Sequence, residues 1–216
     1  MTDKKTILVF APHPDDEVLG CGGMIAKRTK EGSKVIVCIV TNTSKEREEE
    51  ARKADLMLGV EHIEMLRLPE LQLDRLDHTV LNDAVLDVIE RFKPNEVFIP
   101  YSGDLHTDHR ALAEAVIVAT RPKYSCSPTC VYEYETMSET GWNYIDEKNA
   151  FNPNVYECIT DELSQKLDAI SCHESQVDVY PACRSIGSIQ GLAFYRGAQS
   201  EMKYAEAFRM VREYRR

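Results

Sequence analysis

No stretch of this chain approaches the roughly 18 consecutive apolar residues of a membrane span. The apolar run near its start, Ile7 to Phe10, is too short for the core of a secretory signal, and His13 to Glu17 end it. A basic excess is missing too: 26 Lys and Arg stand against 36 Asp and Glu, a formal net charge of -10. Such a field repels phosphate backbones and anionic headgroups, so no nucleic acid or membrane partner is expected, and a cytoplasmic location is. The basic cluster from Arg209 to Arg216 reads as the solvated face of a C-terminal helix, where cations favour the helix end. A disulfide framework is also lacking. The seven cysteines are odd in number and scattered; Cys126 and Cys130 lie close, in C-S-P-T-C, but have no second pair at zinc-finger spacing and read as free thiols in a loop. There is no repeat, no low-complexity linker and no G-x-G-x-x-G dinucleotide fingerprint.

What is present is an ordinary globular composition, 43% hydrophobic and 29% charged over 216 residues, enough for a single domain over 1–216. Strand candidates alternate with helical patterns. Ile7–Ala11 precedes a helix around Met24–Thr29, and Val35–Val40 precedes a helix over Lys45–Leu58 that stops at Gly59. Glu64–Leu68 precedes an amphipathic helix over Leu76–Phe92, and Val97–Pro100 precedes a helix over about Arg110–Ala119. This order predicts an α/β, Rossmann-like, mostly parallel sheet with helices on both faces. From Pro122 the texture changes. Strands at Val131–Glu135 and Val155–Ile159, a helix over Asp161–Cys172 and a final helix over about Lys203–Tyr214 are expected, with about 122–160 forming a small cap over the sheet end.

Two polar loops carry the chemistry. F-A-P-H-P-D-D-E-V-L-G-C-G-G, residues 10–23, follows the first strand, and H-T-D-H, residues 106–109, follows the fourth. In an open α/β sheet, ligands bind beyond the carboxyl ends of the strands, where such loops converge. Together the loops offer His13, Asp15, Asp16, Asp104, His106, Asp108 and His109. Two imidazoles and one carboxylate suit a catalytic zinc that keeps a position for water; magnesium prefers oxygens, and a structural zinc closes all four positions. Asp15 and Asp16 can divide the work, one ligating while the other serves as general base, and one histidine stays free to stabilise an oxyanion. Either loop alone would fit a satisfied strand-end histidine and a helix N-cap pair. Both at strand ends favour a metal site. Gly20, Gly22 and Gly23 leave room for substrate or close helix packing.

A-P-H-P-D-D-E at 11–17 with H-T-D-H at 106–109 resembles the paired signatures of the PIG-L/LmbE-like zinc N-deacetylases. Thr41-Asn42, Arg47 to Arg52 followed by Leu58-Gly59-Val60, Cys172 to Gln176, and Tyr204 to Phe208 are similar to family features as well. The resemblance implies that His13, Asp16 and His109 ligate Zn2+, or another divalent transition metal in its place. It also implies that Asp15 is the general base and that His106 polarises the substrate carbonyl. Asp108 would orient a ligand or tune His106 from behind, and Arg47 would hold the sugar or its anionic appendage. The implied substrate is a small N-acetylated sugar, an N-acetylglucosamine-type conjugate or sugar nucleotide. A different amide, such as a thiol conjugate or antibiotic precursor, and a non-catalytic sugar or metal binding module are the alternatives. The family's frequent trimers and hexamers imply a homo-oligomer. Thr107 stands where proline is commoner, and Asn42 where an acidic residue is frequent. His62 and His78 read as surface or packing residues. Glu17 is either a carboxylate behind a histidine or a first-turn helix charge, and His173 is a substrate-side candidate.

Overall fold

A computed structural model describes residues 4–144, 147 and 149–215. Its framework is a seven-stranded sheet. The strands are β1 (Thr6–Ala11), β2 (Lys34–Thr41), β3 (His62–Leu68), β4 (Glu96–Pro100), β5 (Cys130–Tyr134), β6 (Val155–Cys158) and β7 (Ala205–Glu213), in the order β3-β2-β1-β4-β5-β7-β6. The first five run parallel, and β7 lies antiparallel between β5 and β6. The helices are α1 (Asp16–Lys30), α2 (Lys45–Leu58), α3 (His78–Phe92), α4 (Thr107–Ala119), α5 (Leu163–Ser171) and α6 (Ile186–Ala198). The mostly parallel α/β sheet expected from the alternation is the observed fold. Chain order reverses between β1 and β4, which is where a doubly wound sheet opens a crevice beyond its strand ends.

Both faces are covered, so the central strands are apolar throughout and do not alternate. Ile7 and Val9 of β1 pack with Val18, Met24 and Ile25 of α1, Ala54 and Leu58 of α2, and Ala169 and Ile170 of α5. Leu8 and Phe10 face the other way, onto Leu81, Val85 and Val88 of α3 and Leu112 and Val116 of α4. Helix α2 starts on Ser44, whose side chain accepts the Arg47 N–H, and stops at Gly59 in the left-handed region at φ 82°.

One expectation needs correction. The final helix over Lys203–Tyr214 is instead strand β7, an interior strand paired on both edges. Glu206 and Phe208 fall on one face of it; Phe208 packs edge-on to Phe98 at 5.0 Å, and Glu206 is buried against Lys166 at 2.6 Å. Arg209 to Arg215 therefore form no helix face: Arg209 pairs with Glu133 at 2.6 Å and Arg215 with Glu213 at 3.0 Å, while Arg216 lies outside the described residues. Helix α6, opened by Ser185 accepting the Ser188 N–H, was not expected, because Gly187, Gly191 and Gly197 break up its pattern. The strands expected within 122–160 are present as β5 and β6 and belong to the sheet.

Helix α1 carries the first polar loop, and its glycines set how closely it packs. A Cβ on Gly20 would stand 2.2 Å from Cδ2 of buried Tyr134, whose hydroxyl donates to the Phe10 carbonyl at 2.8 Å. On Gly23 it would stand 2.6 Å from Ile159. Lys166 donates to the Leu19 carbonyl, and Glu206 accepts the Gly23 and Met24 N–H groups, so a buried ion pair addresses the donor and the acceptor of one helical step. The glycines thus serve packing. Gly20→Ala is expected to destabilise by about 1–3 kcal/mol through overpacking. Gly191→Ala, with open space around the added methyl, should stabilise by about 0.5–1 kcal/mol. Urea midpoints moving in the same direction for both would contradict this packing account.

Candidate active site

The turn from β1 into α1 places the first group of side chains. It is pinned by Thr41 at the end of β2, whose N–H and hydroxyl both donate to the Pro12 carbonyl, at 3.0 and 2.7 Å. Asp15 then adopts φ 113°, a left-handed conformation that few residues other than glycine tolerate and that Asp tolerates better than most. Helix α1 begins at the next residue, so Asp15 and Asp16 point differently. Oδ2 of Asp16 accepts the His13 N–H at 3.0 Å and lies 3.1 Å from His13 Nδ1. It is also 3.2 Å from Nε2 of His109, which arrives from the neighbouring strand's loop.

The β4–α4 loop is built by capping. His106 is the N-cap of α4, its Nδ1 accepting the Asp108 N–H at 3.1 Å. In the neutral ring the hydrogen must then sit on Nε2, leaving that nitrogen a donor. His109 places Nδ1 2.9 Å from Asp104 Oδ2, and Asp104 also accepts the Thr140 hydroxyl. Asp108 bonds to the His13 side: its Oδ2 lies 3.2 Å from His13 Nε2, and its oxygens accept the Leu71 and Leu73 N–H groups at 2.7 and 2.9 Å. Each of the two histidines at Asp16 therefore has a second carboxylate fixing its far nitrogen. Thr107, where proline is commoner, leaves the rings together, with His106 and His109 centroids 4.6 and 5.5 Å from that of His13.

Two overlapping groups among the described residues bring donor atoms within 4.8 Å of one another: His13, Asp16, His109 and His13, His106, Asp108. The first is the better metal set. Its neighbouring donors are 3.1–3.2 Å apart, close to the roughly 3.3 Å between ligands at 2.0–2.1 Å in a tetrahedral zinc site. In the second, the Asp108 oxygens are taken by two amides and His106 Nδ1 by a third. The electrostatics agree. Burial disfavours a charged His13 or His109, yet Asp108 and Asp16 lift His13 to about 9, and Asp16 and Asp104 lift His109 to about 10. Burial would raise Asp16, but His109 and His13 hold it well below the usual carboxylate range. The cluster attracts positive charge, as a cation site must.

Asp15 and His106 titrate differently. Burial and the neighbouring Asp16 push Asp15 up to about 7, against the pull of Arg184 and Arg47. Each guanidinium stands 3.8 Å from one Asp15 oxygen, and neither oxygen has a hydrogen-bond partner. Burial, with the positive charge favoured on His13 and His109, lowers His106 to about 4 and keeps it neutral. A cavity of about 210 Å³ opens onto His13, His106 and His109 and is otherwise lined by Arg47, Arg184, Gln176, Glu139 and Glu70. Arg47 also donates to the Pro14 carbonyl and to Glu70, so it holds the turn as well as facing the cavity. A larger cavity, about 400 Å³, between α3 and α4 lacks any such donor group. Arg184 was not singled out from the sequence, and Gln176 only as the end of the Cys172–Gln176 stretch; both reach the site through tertiary packing. Asp104 was named as a donor without a role, and its sequence signal was its position five residues before His109.

The family described as PIG-L, GlcNAc-PI de-N-acetylase, matches residues 8–120, a stretch that includes both polar loops. The diacetylchitobiose deacetylase of Thermococcus kodakarensis is 30% identical over 97% of this chain and 84% of its own. Among solved structures, the conserved protein TT1542 from Thermus thermophilus superposes with a TM-score of 0.81 at 25% identity, covering 97% of this chain and 96% of that one. The N,N'-diacetylchitobiose deacetylase of Pyrococcus horikoshii, crystallised with an inhibitor, gives 0.76 at 25% identity over 97% and 84%. With the family match spanning more than half of the chain and a deacetylase relative matched almost end to end, this protein belongs to the PIG-L family of amide-bond hydrolases.

Proposed function

We propose that the chain is a zinc-dependent N-deacetylase acting on an N-acetylglucosamine-type sugar conjugate or sugar nucleotide. The observation that carries this reading is the set of three donors around Asp16 Oδ2, beside an unpartnered aspartate and a neutral histidine. The substrate class is supported by the diacetylchitobiose deacetylases, to which the chain is similar.

In this reading His13, Asp16 and His109 hold the ion. When bound, zinc supplies Lewis acidity, lowering the pKa of water at the site and neutralising charge on a carbonyl oxygen. Asp15, with a pKa near 7, accepts a proton from the attacking water as the new C–O bond forms. His106 stays neutral and offers a hydrogen bond from its Nε2–H to the carbonyl oxygen as charge develops there. Asp15 then passes the proton to the sugar nitrogen as the C–N bond breaks, giving acetate and a free amine. Asp108 and Asp104 keep the two ligating rings oriented. Arg47 and Arg184 offset the charge of Asp15 and line the space for the sugar.

Asp15→Asn should retain one metal ion per chain and lose about 10²–10⁴-fold in turnover; acetate release and metal content measured on the same sample check both halves. Dialysis against a chelator should abolish acetate release from N-acetylated sugars, and zinc should restore it. A metal-loaded protein that releases no acetate from any of a panel of N-acetylglucosamine conjugates would defeat the assignment. Asp104→Asn and Asp108→Asn should each weaken metal binding by about 10–100-fold, read by competition with a chromophoric chelator. Unchanged affinity in both would remove the orienting role.

A further inference from the structure

Two fully buried side chains that this chemistry does not use stand next to Asp15 and to each other. Glu17, the second residue of α1, accepts the Asp15 N–H on Oε2 at 3.1 Å. Its other oxygen, Oε1, faces Nε2 of His173 across 3.7 Å. Neither of those two atoms has a hydrogen-bond partner among the described residues, and both residues are shut off from solvent. A buried carboxyl and a buried imidazole are costly to keep, so their placement against the Asp15 main chain calls for a reason.

The conformation of Asp15 supplies one. At φ 113° it sits where a non-glycine residue is strained, and such strain persists only where surrounding groups over-determine it. The Glu17 carboxyl is the group that takes up the Asp15 N–H in that conformation. His173 belongs to the Cys172–Gln176 turn after α5, and that turn is itself anchored. The Ser175 N–H and hydroxyl both donate to Glu50 of α2, at 2.9 and 2.7 Å. Gln176 accepts from Arg184 at 3.1 Å, and Arg184 stands beside the Asp15 carboxylate. One short turn thus reaches Asp15 from two sides, its main chain through His173 and Glu17 and its carboxylate through Gln176 and Arg184.

We propose that Glu17 and His173 are a positioning pair that holds the Asp15 main chain in its left-handed conformation and so aims the Asp15 carboxylate at the attacking water. The proposal rests on the reading of Asp15 as the base. Glu17 touches no substrate; it acts through Asp15. Removing its acceptor frees the Asp15 N–H to seek another partner, and displacement of a reacting group by about 1 Å can cost 10²-fold in rate.

The test compares Glu17→Gln, which keeps an acceptor for the Asp15 N–H, with Glu17→Leu, which keeps much of the volume without one. Glu17→Gln is expected to retain kcat within threefold. Glu17→Leu should lose about 10–100-fold in kcat, with KM within threefold and one metal ion still bound per chain. In an Asp15→Asn background, Glu17→Leu should cost nothing further. His173→Phe, which fills the space without nitrogens, should lower kcat at least fivefold and stands in if Glu17→Leu fails to fold. Wild-type kcat in both Glu17→Leu and His173→Phe, or an undiminished Glu17→Leu effect in the Asp15→Asn background, would overturn the pair. A crystal structure of Glu17→Leu separates this proposal from the deacetylase assignment: Asp15 should leave its positive φ whatever the substrate is. A retained φ near 113° would reject the pair even if the enzyme is a deacetylase, whereas an inactive wild type with a relaxed Asp15 in the variant would reject only the assignment.

Discussion

The carboxylate of Asp16 is the point on which the site depends. One oxygen, Oδ2, accepts the backbone N–H of His13 and lies within 3.2 Å of ring nitrogens from His13 and His109. Residues 13 and 109 are far apart in sequence, and they meet because β1 and β4 are parallel neighbours whose following loops leave on the same side of the sheet. The register of those two strands, Ile7 opposite Glu96 and Val9 opposite Phe98, therefore sets the spacing of the donors. A slip by one residue would turn β1 over and bury the wrong face against α1. Two full apolar cores hold the register, and the donor geometry is a consequence of packing on both faces of the sheet.

Buried charge is tolerated here because almost every buried ionic group is given a partner across an element boundary. Lys166 and Glu206 join α5 to β7 and reach into α1. Arg196 and Glu135 tie α6 to the segment leaving β5, through a two-point contact of 2.6 and 2.7 Å. Removing one partner from such a pair leaves an uncompensated charge and is far more damaging than removing both. The exceptions stand out against this pattern. Asp15, Glu17, Asp55 and His173 all carry orphaned buried atoms, and Asp15, Glu17 and His173 follow one another in space beside the candidate metal donors. A buried group left without a partner calls for a reason other than stability.

The sheet and the grouping of the candidate donors were legible because their signals are local. Strand runs alternating with helical patterns announced a parallel sheet, and A-P-H-P-D-D-E and H-T-D-H lie directly at strand ends. What was misread depends on distant partners. Ala-Glu-Ala-Phe-Arg-Met-Val-Arg-Glu, with its charges, looks like a helical face, yet it is β7, because Lys166 neutralises Glu206 and Glu133 takes Arg209. Those partners lie 40 and 76 residues upstream, beyond any local window. Helix α6 was hidden by its glycines, of which Gly197 is required: a Cβ there would stand 2.6 Å from the Met202 carbonyl oxygen. Arg184 has no motif around it and acquires its place only from the fold of the 173–185 segment. Glu17 was visible as a residue with two possible uses, and only the approach of His173 in space singles out one of them.

Adjacent aspartates in a buried turn would ordinarily raise one another's pKa and leave neither well suited to a defined task. The structure splits them by environment. Asp16 is surrounded by imidazoles and held well below the usual carboxylate range, which suits a ligand that must stay ionised. Asp15 has no hydrogen bond to its oxygens and sits between burial and Asp16 on one side and two guanidiniums at 3.8 Å on the other, which brings it to about 7. A carboxylate at that value can both take and return a proton near neutrality, the property asked of a base that later acts as an acid. The left-handed twist at Asp15 makes the split possible, because in a regular helical turn the two side chains would enter the same N-terminal field side by side. The backbone irregularity and the divergence of the two carboxylates are in this sense one feature, and the sequence D-D-E writes its participants consecutively: the unpartnered carboxylate, the one held ionised, and the one that accepts the Asp15 N–H.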